Sequence, residues 1–341
     1  MLMRLAQPAL KRLRPHKSER LYVILDESHT CKRAKKMAGL GYFRDPSTGR
    51  YLWGHEFLTL GFWFRGLFLP VVLSMYWPKK NVPRGRRFRT VDELTAEMIE
   101  NLQAPAGLRV AVLFDAFFLN QTVLRAVRRR NWSWVSVVGA NRDVFLGCGS
   151  PAGGHGRKSK IRVYRRTCWR EGFWPIIIGA SGRREQNWGA PARNVRLSKV
   201  GAVRVVFCRA GSHQTPLALV SPTGAARQLV EQYAQRWSVE LFLKESKQLL
   251  GIGHYQTRPP AGVERHLQLV SCAHFPLTHV RLLQTARARA KANRSRLARQ
   301  SLSSAQARLR YLLLCDIQQI AARKARSPRA LERSIGLLKA A

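Results

Sequence analysis

Two rhythms of hydrophobic and polar positions divide this chain. Short unbroken apolar runs come first. Leu21 to Leu25 and Arg109 to Phe114 are rich in branched side chains, the pattern of strands buried on both faces. Tyr51 to Phe64 and Leu67 to Tyr76 read as two further strands between them. Arg65-Gly66 divides the apolar stretch Phe57 to Tyr76 into β-length pieces, which predicts a hairpin and not a membrane span. A helical rhythm then takes over at Val91 to Gln103, opened by a capping box of Thr90 and Glu93 and stopped before Pro105 and Gly107. Asn120 to Arg130 predicts the next helix and Trp132 to Val138 the next strand. The order is three strands, helix, strand, helix, strand.

The interval from Asn141 to Pro222 is β-like. Ile161 to Tyr164, Trp174 to Ile178, Val203 to Cys208 and Leu217 to Val220 are strand candidates, separated by Gly, Pro, Asn and Ser. Pro151 to Lys160 reads as a basic loop suited to phosphate, and it matches no nucleotide-binding glycine motif. A helix opens at Thr223 or Gly224 and runs to about Leu250, before the break at Gln256 to Pro260. Val263 to Gln284 predicts an apolar helix interrupted near Pro276, and Ala286 to Arg299 and Arg308 to Lys324 predict basic helices. No internal repeat is present.

Three carboxylates stand out against this pattern. Asp26 and Asp115 each follow an apolar run, where a strand end would hold the side chain rigidly out of the sheet. Asp92, in a first helical turn, suits the helix dipole, and Asp143 lies beyond its strand. The third is Glu240. At about 100° per residue, Tyr233, Arg236, Glu240, Lys244 and Lys247 share an arc of about 80°, while Val239, Phe242, Leu249 and Leu250 face away. Glutamate can ligand Mg²⁺, and Tyr, Arg and Lys can hold phosphate oxygens. The plainer reading is a solvated face with Glu240 and Lys244 as an i,i+4 pair.

Charge narrows the partners. The 341 residues carry 60 Lys and Arg against 19 Asp and Glu, a net +41 spread along the chain. With 45% apolar residues the chain can still build a core, so the excess points to a polyanion, nucleic acid before an anionic membrane. Six scattered cysteines form no C-x2-C pair, and the nine histidines add no zinc-type spacing. Reduced thiols in a cytoplasmic, nucleoid-associated protein are expected. The first 20 residues lack the apolar run of a secretory signal.

Tyr233, Arg236, Glu240 and Lys247 fit the spacing Y-x2-R-x3-E-x6-K, and Leu249 to Gln256 (LLGIGHYQ) follows. In both, the chain resembles a group of insertion-sequence DDE transposases, the insertion-sequence-four-like group. The resemblance implies an α/β fold, a ribonuclease H-like mixed-sheet core with a mostly β insertion before the Glu-bearing helix. It divides the chain into a basic segment 1–20, core 21–140, insertion 141–222, Glu-bearing helix 223–260 and a basic α-helical C-terminal region 261–341. It also implies Asp26, Asp115 and Glu240 as catalytic metal ligands for two Mg²⁺ ions, with Mn²⁺ able to substitute. Tyr233, Arg236, Lys244 and Lys247 would contact DNA. The expected activity is metal-dependent cleavage and strand transfer, cut and paste, by a homodimer synapsing transposon ends with a target. Insertion residues of such enzymes can hold a flipped base, which makes Trp169, Trp174 and Trp188 the aromatic candidates here. Such transposases usually carry an end-binding domain before the first catalytic strand, and only 20 residues precede it here. Either an N-terminal truncation or end recognition elsewhere in the chain is therefore expected. The alternatives are a decayed or repurposed transposase that only binds DNA, and a nuclease without strand transfer.

Overall fold

One mixed sheet organises the chain. The computed structural model describes residues 19–45, 48–146, 157–170, 174–180, 183–210 and 216–290, together with Leu2, Ala6 and Leu10. Contacts divide the chain into Met1–Cys272 and Ala273–Ala341. In the first unit, β1 (Arg20–Cys31) pairs antiparallel with β3 (Tyr51–Phe64) and parallel with β5 (Arg109–Phe114). β5 pairs parallel with β6 (Ser133–Val137). β2 (Gly41–Arg44) and β4 (Leu67–Met75) pair with successive stretches of β3. Arg65 and Gly66, both at positive φ, make the tight turn between β3 and β4. An antiparallel meander followed by strands parallel to β1 is compatible with a ribonuclease H-like fold.

The β-rich interval extends this same sheet. β13 (Leu217–Ser221) pairs with β6 through Leu219↔Val137 and Val220↔Ser136. Beyond it lie β12 (Gly201–Ala210), β11 (Arg193–Leu197), β7 (Asp143–Leu146) and β8 (Arg157–Lys160), with β10 (Arg183–Gly189) and β9 (Trp174–Ala180) branching from β12. The strand expected over Ile161 to Tyr164 is instead the start of a helix. Ile161, Tyr164 and Cys168 are buried at i, i+3 and i+7, while Arg162 and Arg166 face out, so the period is helical.

Helix α1 (Val91–Glu100) opens on the expected capping box, with Thr90 Oγ1 accepting from Glu93 N and Glu93 Oε2 accepting from Thr90 N. Helix α2 (Gln121–Arg129) is capped by Asn120, and α3 is Ile161–Arg170. The helix expected to run unbroken from about 223 to 250 is two helices, α4 (Ala226–Ala234) and α5 (Trp237–Gln248). At the joint, Gln235 N, Arg236 N and Ser238 N each bond a carbonyl three residues back, which tightens the turn. Helix α6 spans Pro260–Ala290 and runs through Pro276, which has no N–H to donate to the preceding turn. Residues 273–290 are the described part of the second unit, where Thr278 Oγ1 lies 3.1 Å from His274 Nδ1.

The core that seats α4 and α5 lies on one face of the sheet. Ile24, Leu113, Val135, Val206 and Leu219 supply the floor, and Leu229, Val239, Phe242 and Leu243 the cover. Phe242 meets Phe68 of β4 with ring centroids 5.4 Å apart. Burying such a ring contributes roughly 1.5–3 kcal/mol, and it fixes the turn of α5 that carries Glu240. Cys31, Cys168, Cys208 and Cys272 are free thiols. Among the described residues, no helix is long and apolar enough to cross a membrane.

Candidate active site

β1 does not end at Asp26, as its apolar run suggested. Its pairing with β5 runs from Arg20↔Arg109 to Ile24↔Leu113, whereas its pairing with β3 continues to Cys31↔Gly54. Asp26 to Cys31 therefore form an overhang, supported by β3 after β5 has turned away. A cleft opens along this overhang, lined by Asp26, Glu27 and His29, by Asp115 just past β5, and by Arg236, Glu240 and Lys247. Asp115 Oδ1 accepts from Phe117 N at 2.9 Å, and Ser136 Oγ donates to Asp115 O at 3.0 Å, so both side chain and backbone are held.

The guanidinium of Arg236 sits between two of the three carboxylates. Nη2 donates to Asp26 Oδ1 at 3.2 Å, and Nη1 donates to Glu240 Oε1. Arg236 and Asp26 are both largely buried, their side chains 13% and 10% exposed. Burial dominates Asp26 and pushes its carboxyl up to about 7, with Arg236 opposing the rise and Asp115 and Glu240 adding to it. Burial works against the charge on Arg236, but Asp26, Tyr233, Glu240 and Asp115 outweigh it and hold the guanidinium more firmly protonated than usual. Burial also raises the Tyr233 hydroxyl, so the phenol keeps its proton. Burial lowers the Lys247 ammonium, while Cys31, Asp45 and Asp26 act to retain its charge.

Of the residues expected to share one helical face, Arg236, Glu240 and Lys247 line the cleft. Tyr233 lies on α4, across the joint, half-buried and within the field of the same carboxylates. Lys244 is exposed on α5, one turn beyond Glu240, and does not line the cleft. The Trp169, Trp174 and Trp188 side chains lie outside the described residues, as do residues 151–156 of the basic loop and the basic helices beyond Ala290. Asp143 pairs with Lys160 at 2.6 Å and Lys158 at 3.5 Å, away from the cleft.

Two groups were not anticipated. Strand alternation puts Glu27 and His29 on the face of β1 opposite Asp26, and Glu56 of β3 lies directly across from His29, with Oε1 3.9 Å from His29 Nε2. Burial pushes Glu27 up to about 8, reinforced by Asp115, Asp26 and Glu56, and pushes Glu56 up to about 7. Glu27 Oε2 is buried with no hydrogen-bond partner. The second group clamps the segment after α5 to the sheet. Lys32 Nζ donates to Gly253 O and Tyr255 O, both at 2.7 Å, and lies 3.4 Å from the centre of the Tyr255 ring. His55 Nε2 lies 2.8 Å from Ala38 O, which can only accept, so that nitrogen carries the proton. His55 Nδ1 then accepts from the Tyr255 hydroxyl at 2.7 Å. This clamp gives a physical role to the Leu249 to Gln256 stretch: it holds Gly253 and His254 in the cleft wall.

The family of DDE superfamily endonucleases matches residues 1–215. The chain belongs to that family. The matched span carries Asp26 and Asp115 and ends before Glu240. No curated protein matches the chain. Membership of the DDE endonucleases makes DNA the substrate and a divalent metal ion the usual cofactor. The donor chemistry here suits such an ion: every carboxylate of the cleft offers oxygen, Asp26 and Glu27 are raised by burial and by neighbouring carboxylates, and Glu27 Oε2 lacks a partner. As the side chains stand, no three acidic, His or Cys groups among the described residues gather closely enough to hold an ion. The cation between Asp26 and Glu240 is Arg236.

Proposed function

We propose that this DDE endonuclease is an insertion-sequence transposase of the insertion-sequence-four-like group, which cleaves DNA strands and joins them to a target. The observation that carries the reading is the meeting of Asp26, Asp115 and Glu240, from three separate stretches of chain, in one cleft. On this reading Asp26, Asp115 and Glu240 hold two Mg²⁺ ions, or Mn²⁺ in their place. A divalent metal there supplies activation of a water or 3′-hydroxyl nucleophile and stabilisation of the leaving 3′-oxygen. Arg236 and Lys247 bind phosphate oxygens beside the scissile bond, with the protonated Tyr233 hydroxyl as a further donor. Lys244, outside the cleft, contacts the flanking backbone. Residues 21–140 and 223–260 then form the catalytic core, 141–222 its β-rich insertion and 261–341 a basic helical region. The enzyme works as a homodimer that synapses two ends.

The test is incubation of the full chain with Mg²⁺ and DNA carrying the sequences that flank its coding region. Nicking followed by joining of the free 3′ end to a second duplex is expected. Nicking without joining would make it a nuclease, and binding without either would make it a DNA-binding protein.

A further inference from the structure

Arg236 occupies an odd place. It stands at the N-cap of α5, where Ser, Thr, Asp or Asn is preferred, makes no capping bond with its side chain, and puts a cation at the positive end of the helix dipole. Its local compensation is the i,i+4 pair with Glu240. The rest comes from Asp26, 210 residues away in sequence, with Tyr233 and Asp115 adding to the field. The fork to Asp26 and Glu240 uses Nη1 and Nη2 and leaves Nε buried without a partner. The guanidinium therefore neutralises two carboxylates at the place where a metal would have to bind them, and keeps one donor unused.

We propose that Arg236 is an internal counter-cation that blocks metal loading of Asp26 and Glu240 until a DNA phosphate draws its guanidinium away. The proposal rests on the reading of these carboxylates as metal ligands. Arginine suits the exchange because its planar fork binds carboxylate and phosphate in the same bidentate manner. The freed carboxylate oxygens then become available to a divalent ion, and Nε finds an acceptor on the phosphate. Metal and DNA binding are consequently coupled, each tightening the other by the same factor. The chain avoids assembling a charged, cleavage-competent site with no DNA present.

The experiment measures Mn²⁺ affinity of the full-length chain by electron paramagnetic resonance, with and without a short duplex, for wild type and Arg236→Gln. A unit charge about 4 Å away in an effective dielectric of about 20 shifts affinity by well over tenfold. Arg236→Gln without DNA is therefore expected to bind Mn²⁺ at least about tenfold more tightly than wild type, and to gain less from added duplex. A folding scaffold would give the opposite sign, since disordering the cleft weakens metal binding. Should Arg236→Gln fail to fold by circular dichroism, Arg236→Met removes the charge while keeping a long side chain, and tighter Mn²⁺ binding than wild type is again expected. A folded variant that binds Mn²⁺ no more tightly than wild type overturns the proposal. Absence of Mn²⁺ binding in every protein, even with duplex present, overturns the metal reading itself and this proposal with it.

Discussion

Replacing Glu56 by Gln isolates the electrostatic strain stored behind Asp26. Glu56 is 7% exposed, and burial raises its carboxyl from the ordinary 4.5 to about 7. Its nearest cation, His29, is itself pushed toward neutrality first by burial and then by Lys247. Between pH 4.5 and 7 the unfolded chain has released this proton while the folded chain still holds it, so stability falls as pH rises across that window. At about 1.4 kcal/mol per pH unit, the loss is roughly 3 kcal/mol by pH 8. Glutamine has nearly the same shape and no proton to lose. Wild type and Glu56→Gln should therefore melt together at pH 4, and by pH 8 the variant should be the more stable by roughly 3 kcal/mol, or about 4 °C. Thermal melts followed by circular dichroism from pH 4 to 8, without divalent metal, make the measurement. Parallel pH profiles for the two proteins would refute the reasoning, because they would place the titrating strain elsewhere.

Three further substitutions probe the frame and the DNA contacts. A Cβ on Gly54 would lie 2.0 Å from Thr30 O, a backbone atom that cannot move aside alone. Gly54→Ala should thus prise β3 from the β1 overhang at a cost of about 1–3 kcal/mol, and a denaturant midpoint unchanged from wild type would sink that expectation. Lys247 lines the cleft and Lys244 does not. Lys247→Ala should slow nicking even at saturating DNA, whereas Lys244→Ala should only weaken binding and reduce the salt slope by about one. Equal effects on nicking at saturation would remove the distinction.

What could be read from sequence follows from how local each signal is. The strand before Asp115, the Thr90–Glu93 box and the Arg65-Gly66 turn are set by neighbouring residues, and each forms as the pattern implies. The joint at Gln235 and Arg236 carries no Pro or Gly, so the apolar period runs through it unmarked. The tightened turn there accompanies a contact to Asp26 that sequence spacing does not express. Glu27 has no distinct signal in the sequence, because a polar Asp-Glu-Ser after an apolar run looks like a strand end, yet pairing with β3 keeps all three residues in the strand. The Lys32, His55 and Tyr255 clamp joins residues 200 or more apart and has no local signature. Ile161 to Tyr164 was too short a window to separate a strand from the first turn of an arginine-rich helix.

The central claim is that Asp26, Asp115 and Glu240 act together as the cleavage site. Its most direct measurement pairs Mg²⁺-dependent nicking with DNA affinity for Asp26→Asn, Asp115→Asn and Glu240→Gln, substitutions that keep shape and remove charge. The account predicts that each variant loses nicking altogether, in Mg²⁺ or Mn²⁺, while still binding duplex at least as tightly as wild type, since each removes a negative charge from the cleft. A folded variant that nicks at the wild-type rate would take its residue out of the site and contradict the account.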